Sequence, residues 1–242
     1  MSFDPNEFDR SYPRSGGETL GQYVGKTFLW MMVGLLITFG VGILVWSTGL
    51  AWHIYVSAPG VHLVLLVGIL IISFTLSARI ERMAVGTAVA LFLTYSALFG
   101  FTVSLYLVLF ELPSVMLAFL MTAVYFGALA AYGFLTRADL SRLGVLLTAG
   151  LILLILFALA SLLIPGLTGL DRAVSFFAIA VFLAYTAYDT QRIKEYYHYY
   201  AGEPDLLAKA SIFSALQLYL DFLNLFVRLL TILGRRKNRL ET

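Results

Sequence analysis

The chain contains no cysteine. That excludes disulfides, thiolate chemistry and any Cys-based metal site, and it leaves the redox compartment open. Histidine is scarce: His53, His62 and His198 are scattered and form no metal-ligand pattern. Charge is also scarce. Charged residues make up 12% of the chain, about half the share of a soluble domain. No basic segment is interleaved with aromatics, so no nucleic-acid partner is expected. No polar stretch is long enough to form a second domain, and no cofactor is expected. The first 23 residues are polar and mixed in charge, and the apolar run after them is too long for a cleavable signal peptide.

What the chain has in abundance is apolar sequence. It is 60% hydrophobic with a mean hydropathy of +0.89, the composition of a polytopic membrane protein. The expected organisation is a flexible polar tail over 1–23, a membrane domain over 24–234 and a basic tail over 235–242. Gly17, Gly21 and Gly25 are spaced for either close helix packing or a loose leader. Seven apolar segments follow, each about long enough for a bilayer core of roughly 30 Å. They are predicted near Thr27–Trp46, Val61–Ala78, Ala84–Leu109, Pro113–Leu135, Leu143–Ile164, Ala173–Tyr188 and Leu206–Leu233. Short connections make sequential spans antiparallel neighbours. Small and hydroxyl residues in spans three and four, such as Ser96, Gly100, Thr122 and Gly127, fit close helix contact.

Orientation follows from Lys and Arg in short loops. One side collects Arg10, Arg14, Lys26, Arg79, Arg82, Arg137, Arg142, Arg192, Lys194 and Lys209, against only Arg172 on the other. The N-terminus is therefore expected to be cytoplasmic. Seven spans then leave Arg235, Arg236, Lys237 and Arg239 on the opposite side. Either the last segment is re-entrant, or the earlier loops outvote the tail; seven full spans are preferred.

The last segment carries Gln217, Asp221, Asn224 and Arg228. At about 100° per residue these four share a stripe roughly 60° wide. Such a face is expected to meet protein or water rather than hydrocarbon, with other spans wrapped around it. An intramembrane charge costs about 2.5–3.5 kcal/mol or more at a helix centre, so Asp221 is a candidate ion- or proton-handling carboxylate. Asp189, in Tyr185-Thr186-Ala187-Tyr188-Asp189-Thr190-Gln191-Arg192, ends span six on the side from which the last segment enters. The two acids can thus approach one another. Their titrations would then couple, and one shared proton would make a neutral, compact latch. Without it, two like charges would repel, recruit an Arg or Lys, or bind a hard cation. Carboxylate oxygens suit Ca²⁺, and two of them make a weak, transient site. Arg79 reads first as an interfacial cation and second as a gate. Arg228, Asn224 and Gln217 read as structural partners. Tyr196, Tyr197, Tyr199 and Tyr200 read as an interfacial aromatic belt.

The run A-Y-T-A-Y-D-T-Q-R-I-K from Ala184 and L-Y-L-D-F-L-N-L-F from Leu218 resemble the signature of the Bax inhibitor-1 family (transmembrane Bax inhibitor motif proteins). T-Y-S-A-L-F-G-F-T-V-S from Thr94 and Y-G-F-L-T-R-A-D-L-S from Tyr132 resemble its bacterial branch. The resemblance covers nearly the whole chain after residue 20. It implies an all-α membrane fold of seven helices, the last central between two three-helix layers. It implies a pH-sensitive calcium leak, with Asp189 and Asp221 as the pH-sensing pair and Ca²⁺ and H⁺ as the species handled. It also implies a bacterial inner membrane as the location. A gating arginine of some members falls nearest to Arg79, with a one-residue shift. The span-two acid of some members has no counterpart in Val61–Ala78.

The competing reading is a non-conducting regulator that binds another membrane protein, such as a quality-control protease, through its polar N-terminal tail. An intramembrane aspartyl protease would also place acids on consecutive spans. However, Asp221 lacks the flanking glycines of that class, and no Pro-Ala-Leu follows on a further span. No enzymatic activity is expected.

Overall fold

The computed structural model describes residues 18–57 and 60–237. The tail residues up to 17, and Arg239 in the basic tail, lie outside the described residues. Eight α-helices are present among those described: α1 Leu20–Ser47, α2 Leu50–Ser57, α3 Val61–Arg79, α4 Val85–Leu109, α5 Leu112–Leu135, α6 Leu143–Leu163, α7 Asp171–Tyr199 and α8 Pro204–Leu233. Short 3₁₀ turns follow α3 (Ile80–Arg82) and α6 (Pro165–Leu170). Six helices, α1 and α4 to α8, are long and apolar enough to cross a bilayer. The protein is an integral, multi-pass membrane protein.

Helix starts follow local chemistry. Thr19 caps α1 through a capping box: Gln22 N donates to Thr19 Oγ1 at 3.3 Å, and Thr19 N donates to Gln22 Oε1 at 2.9 Å. This box starts α1 seven residues before the predicted span. It places Gly21 and Gly25 on an exposed stretch where an added Cβ would meet nothing within 4 Å, so they make no close helix contact. Pro113 sits in the first turn of α5, as expected for a missing N–H. The turn into α8 depends on Gly202, whose φ of +95° favours glycine.

The predicted sixth span closes at Tyr188, but α7 runs on to Tyr199. The charged residues after Asp189 end the apolar run without ending the helix, because nothing between Thr190 and Tyr199 breaks it. Asp189 therefore lies inside a helix and not at its end.

Helix α8 is the most enclosed of the long helices: 56% of its apolar window is buried, against 17–44% for the others. Leu218, Tyr219, Leu225 and Phe226 are fully buried. Phe222 packs on Phe119 and Phe126 of α5, and Phe226 packs on Phe39 of α1. Tyr219 meets α1 and α4: its hydroxyl lies 2.5 Å from Thr38 Oγ1, which also bonds Ser96 O at 2.9 Å. The small residues of α1 and α4 permit that approach. A Cβ at Gly100 would lie 2.7 Å from Val41 Cβ, and one at Gly34 would lie 2.6 Å from Phe92.

The bundle has two distinct poles. At the first, Tyr197 Oη donates to Glu18 O at 2.8 Å, Tyr200 Oη to Glu81 Oε1 at 2.5 Å and Lys209 Nζ to Glu81 O at 3.1 Å. These bonds tie the start of α1, the end of α3 and the α7–α8 turn together. At the second, the tail after α8 pairs with the α4–α5 connection. Glu111 N donates to Arg235 O and Lys237 N to Leu109 O, at 2.9 and 3.0 Å, while Lys237 Nζ sits 5.5 Å over Trp46. Helix α8 enters at the first pole and ends at the second. It runs from one pole of the bundle to the other, over about 45 Å at 1.5 Å per residue.

Candidate functional site

The segment Ala184–Arg192 of α7 presents a different residue to each neighbour. Gly133 of α5 lets Ala187 approach so closely that a Cβ there would collide with the Ala187 carbonyl. Gly144 of α6 takes the Tyr188 hydroxyl: a Cβ there would lie 2.6 Å from it. Gln191 clasps the α5–α6 connection, accepting from Leu140 N at 2.9 Å and donating to Ala138 O at 2.8 Å. Thr186 and Thr190 are fully buried and bond back to the carbonyls of Phe182 and Thr186. Locked on these sides, α7 turns Asp189 toward α8.

Asp189 and Asp221 are both buried, at 6% and 4% exposure. The charge of Asp189 acts directly on Asp221. Each has an oxygen with no hydrogen-bond partner among the described residues, Asp189 Oδ1 and Asp221 Oδ2. A buried acceptor without a donor is costly. Arg192, one turn beyond Asp189, acts on its charge but makes no ion pair within 4 Å among the described residues. Its guanidinium lies over the rings of Tyr188 and Tyr196, at 5.6 and 4.8 Å. Tyr185, one turn before Asp189, is close enough to feel both carboxyl groups. The i and i+4 spacing of Tyr185 and Asp189 carried that signal in the sequence, where it passed unused.

The stripe of the last helix divides. Asp221 turns into the protein, Gln217 and Arg228 are half-buried, and Asn224 is exposed. Asn224 is satisfied on its own helix, donating from Nδ2 to Leu220 O at 2.8 Å. Arg228 acts on Tyr106 of α4. The other helices therefore enclose the apolar face of α8, and three of the four stripe residues lie toward its open side. Arg79 is exposed at the end of α3. Among the described residues no group of three or more His, Cys, Asp or Glu could hold a metal.

Two of the four belt tyrosines have specific partners, as the bonds of Tyr197 and Tyr200 show. The bond to Glu81 pushes Tyr200 up to about 12, because losing its proton would set two negative charges side by side.

A multi-pass helical membrane protein with an acid pair buried between its last two helices is the class these features define. The model of the family "Inhibitor of apoptosis-promoting Bax1" matches residues 20–238, and the chain belongs to this Bax inhibitor-1 family. It is 37% identical over 235 residues to the inner membrane protein YbhL of Escherichia coli (strain K12), covering 93% of this chain and 95% of that one. It is 34% identical to protein RP147 of Rickettsia prowazekii (strain Madrid E), over 91% and 92% of the two chains. It is also 34% identical to a protein of Deinococcus radiodurans, over 87% and 89%.

Proposed function

We propose that the protein is a pH-sensitive cation leak, with Ca²⁺ as the cation carried. The observation that supports this most is the Asp189–Asp221 pair: two buried carboxyl groups in mutual electrostatic reach, each with an oxygen that lacks a donor. A single proton between them satisfies both oxygens and removes the repulsion of two charges in a medium of low dielectric. Its loss leaves a charged pair that a hard cation or a nearby guanidinium neutralises. Arg192 is the cation acting on the pair from α7, and Tyr185 is the flanking hydroxyl. Arg79, exposed at the end of α3, is the candidate gate partner.

In this reading Val61–Arg79 is a seventh span, and α8 is central between α1, α3 and α4 on one side and α5, α6 and α7 on the other. The N-terminus is cytoplasmic, as the loop cations require. The location is a bacterial inner membrane, the location that the name of the E. coli relative gives for that protein.

The test is Ca²⁺ flux into liposomes carrying the purified protein. Wild-type flux is expected to change with pH, and Asp221→Asn to remove that dependence. A wild-type flux equal to that of empty liposomes at every pH contradicts the proposal.

A further inference from the structure

Although α8 is the most enclosed helix, one of its faces stays open. Phe213, Gln217, Leu220, Asn224 and Val227 follow at intervals of four, three, four and three, and none is buried. At the first pole this face runs into a cavity of ≈ 490 Å³ between the end of α3, the end of α7 and the start of α8, within the usual size range of ligand sites. Phe213 belongs to both. The lining of the cavity is divided: Ala78, Ile80, Leu206 and Ala210 are apolar, while Arg82 and Lys209 bring two cations and Tyr196 and Tyr200 two ring hydroxyls.

The charges there are unbalanced. Glu81 also lines the cavity, but its carboxylate takes the Tyr200 hydroxyl and its carbonyl takes Lys209 Nζ. Among the described residues neither Arg82 nor Lys209 has an acid within ion-pair distance, the ion pair found being Lys26–Glu18. Two cations, aromatic hydroxyls and an open face on which Phe213, Leu220 and Val227 alternate with the amides Gln217 and Asn224 form an amphipathic site at the end of a membrane bundle.

We propose that this cavity binds an anionic phospholipid, its phosphate against Arg82 and Lys209 and an acyl chain along the open face of α8 from Phe213 past Leu220. Basic pockets between transmembrane helices suit such headgroups. Free phosphate would use the cations and leave Phe213, Leu220 and Val227 without an occupant. A zwitterionic lipid would cover those side chains and leave the positive charge unbalanced. The lipid also explains why a helix packed so tightly elsewhere keeps one side uncovered.

The full-length protein in detergent, examined by native mass spectrometry, is to be offered phosphatidylglycerol, phosphatidylcholine and inorganic phosphate in turn. Phosphatidylglycerol is expected to stay bound where phosphatidylcholine is lost, and phosphate is expected not to displace it. The double change Arg82→Gln with Lys209→Gln should weaken phosphatidylglycerol binding about thirty-fold, at roughly fivefold per cation. Lys209→Arg should retain it, and so should Arg142→Gln, which changes an exposed cation outside the cavity. If the double variant does not fold, Phe213→Trp supplies a second reading: a lipid brominated on its acyl chain should quench that tryptophan. Equal binding of the two lipids, full displacement by phosphate, unchanged binding in a folded double variant, or no quenching would overturn the proposal.

Discussion

The two poles of the bundle hold the last helix in different ways. At the second pole the fixing is mostly main chain: residues 109–111 pair with Arg235 and Lys237, and cations cover Phe110 and Trp46. At the first pole it is mostly side chain: Tyr197 reaches Glu18, Tyr200 and Lys209 both reach Glu81, and Gln191 and Lys194 reach Ala138 and Phe134. Main-chain pairing is indifferent to side-chain charge, whereas side-chain bonds can be remade one at a time. The half of α7 that carries Asp189 runs toward the side-chain-fixed pole, so a change of charge in the acid pair is best accommodated there. The second pole serves as a fixed anchor.

Three substitutions and one titration test this contrast, from the largest expected effect to the smallest. Gly133→Ala pushes a methyl into the Ala187 carbonyl. Overpacking of that kind costs about 1–3 kcal/mol, so the thermal midpoint in detergent should fall; an unchanged midpoint would show that α5 and α7 are not locked there. Gln191→Ala strips the partners from Leu140 N and Ala138 O, at about 1–2 kcal/mol. Amide exchange should quicken over 138–141 while Glu111 at the opposite pole keeps its protection. Faster exchange at both poles would mean that they unfold together. Arg236→Ala removes a cation 6.0 Å from the Phe110 ring. With the main-chain pairing intact, the expected loss is about 0.5–1 kcal/mol at most, and a larger loss would give side chains the leading role at this pole too.

The smallest effect concerns the turn at Asp139, which is fully exposed and accepts Ser141 N at 2.9 Å. The hydroxyl and amide of Ser141 hold its carboxyl below the usual aspartate range. A lowered folded value stabilises above the unfolded pKa of about 3.9 and is lost as pH falls through the folded one. Protection of the Ser141 amide should therefore persist as pH passes the ordinary aspartate value and fail below it. Loss already in mildly acidic buffer would contradict that sign.

The sequence made the apolar spans legible because hydropathy acts locally: α4, α5 and α6 begin and end within a residue or two of expectation. The apolar run of the sixth span ends at Tyr188, while the helix that carries it continues to Tyr199, because hydropathy marks where a segment leaves the apolar core and not where its helix stops. The stripe Gln217–Arg228 reads in sequence as a single face to be enclosed. The enclosed face is instead the apolar one, since aromatic packing by Phe222 and Phe226 outweighs burying amides that can bond their own helix. Asp189 and Asp221 were identifiable as rare charges in apolar surroundings. Gly133 and Gln191 were harder to identify, because their roles lie in contacts with segments 51 to 54 residues away in the chain.

The central claim is that Asp189 and Asp221 titrate as one unit. Infrared difference spectroscopy of the reconstituted protein, scanned through pH, observes carboxyl protonation directly. Asp189→Asn should leave one carboxyl titrating with a shifted midpoint, and Asp221→Asn should do the same for its partner. If either variant leaves the remaining acid titrating at its wild-type midpoint, the two groups are independent and the shared-proton account is wrong.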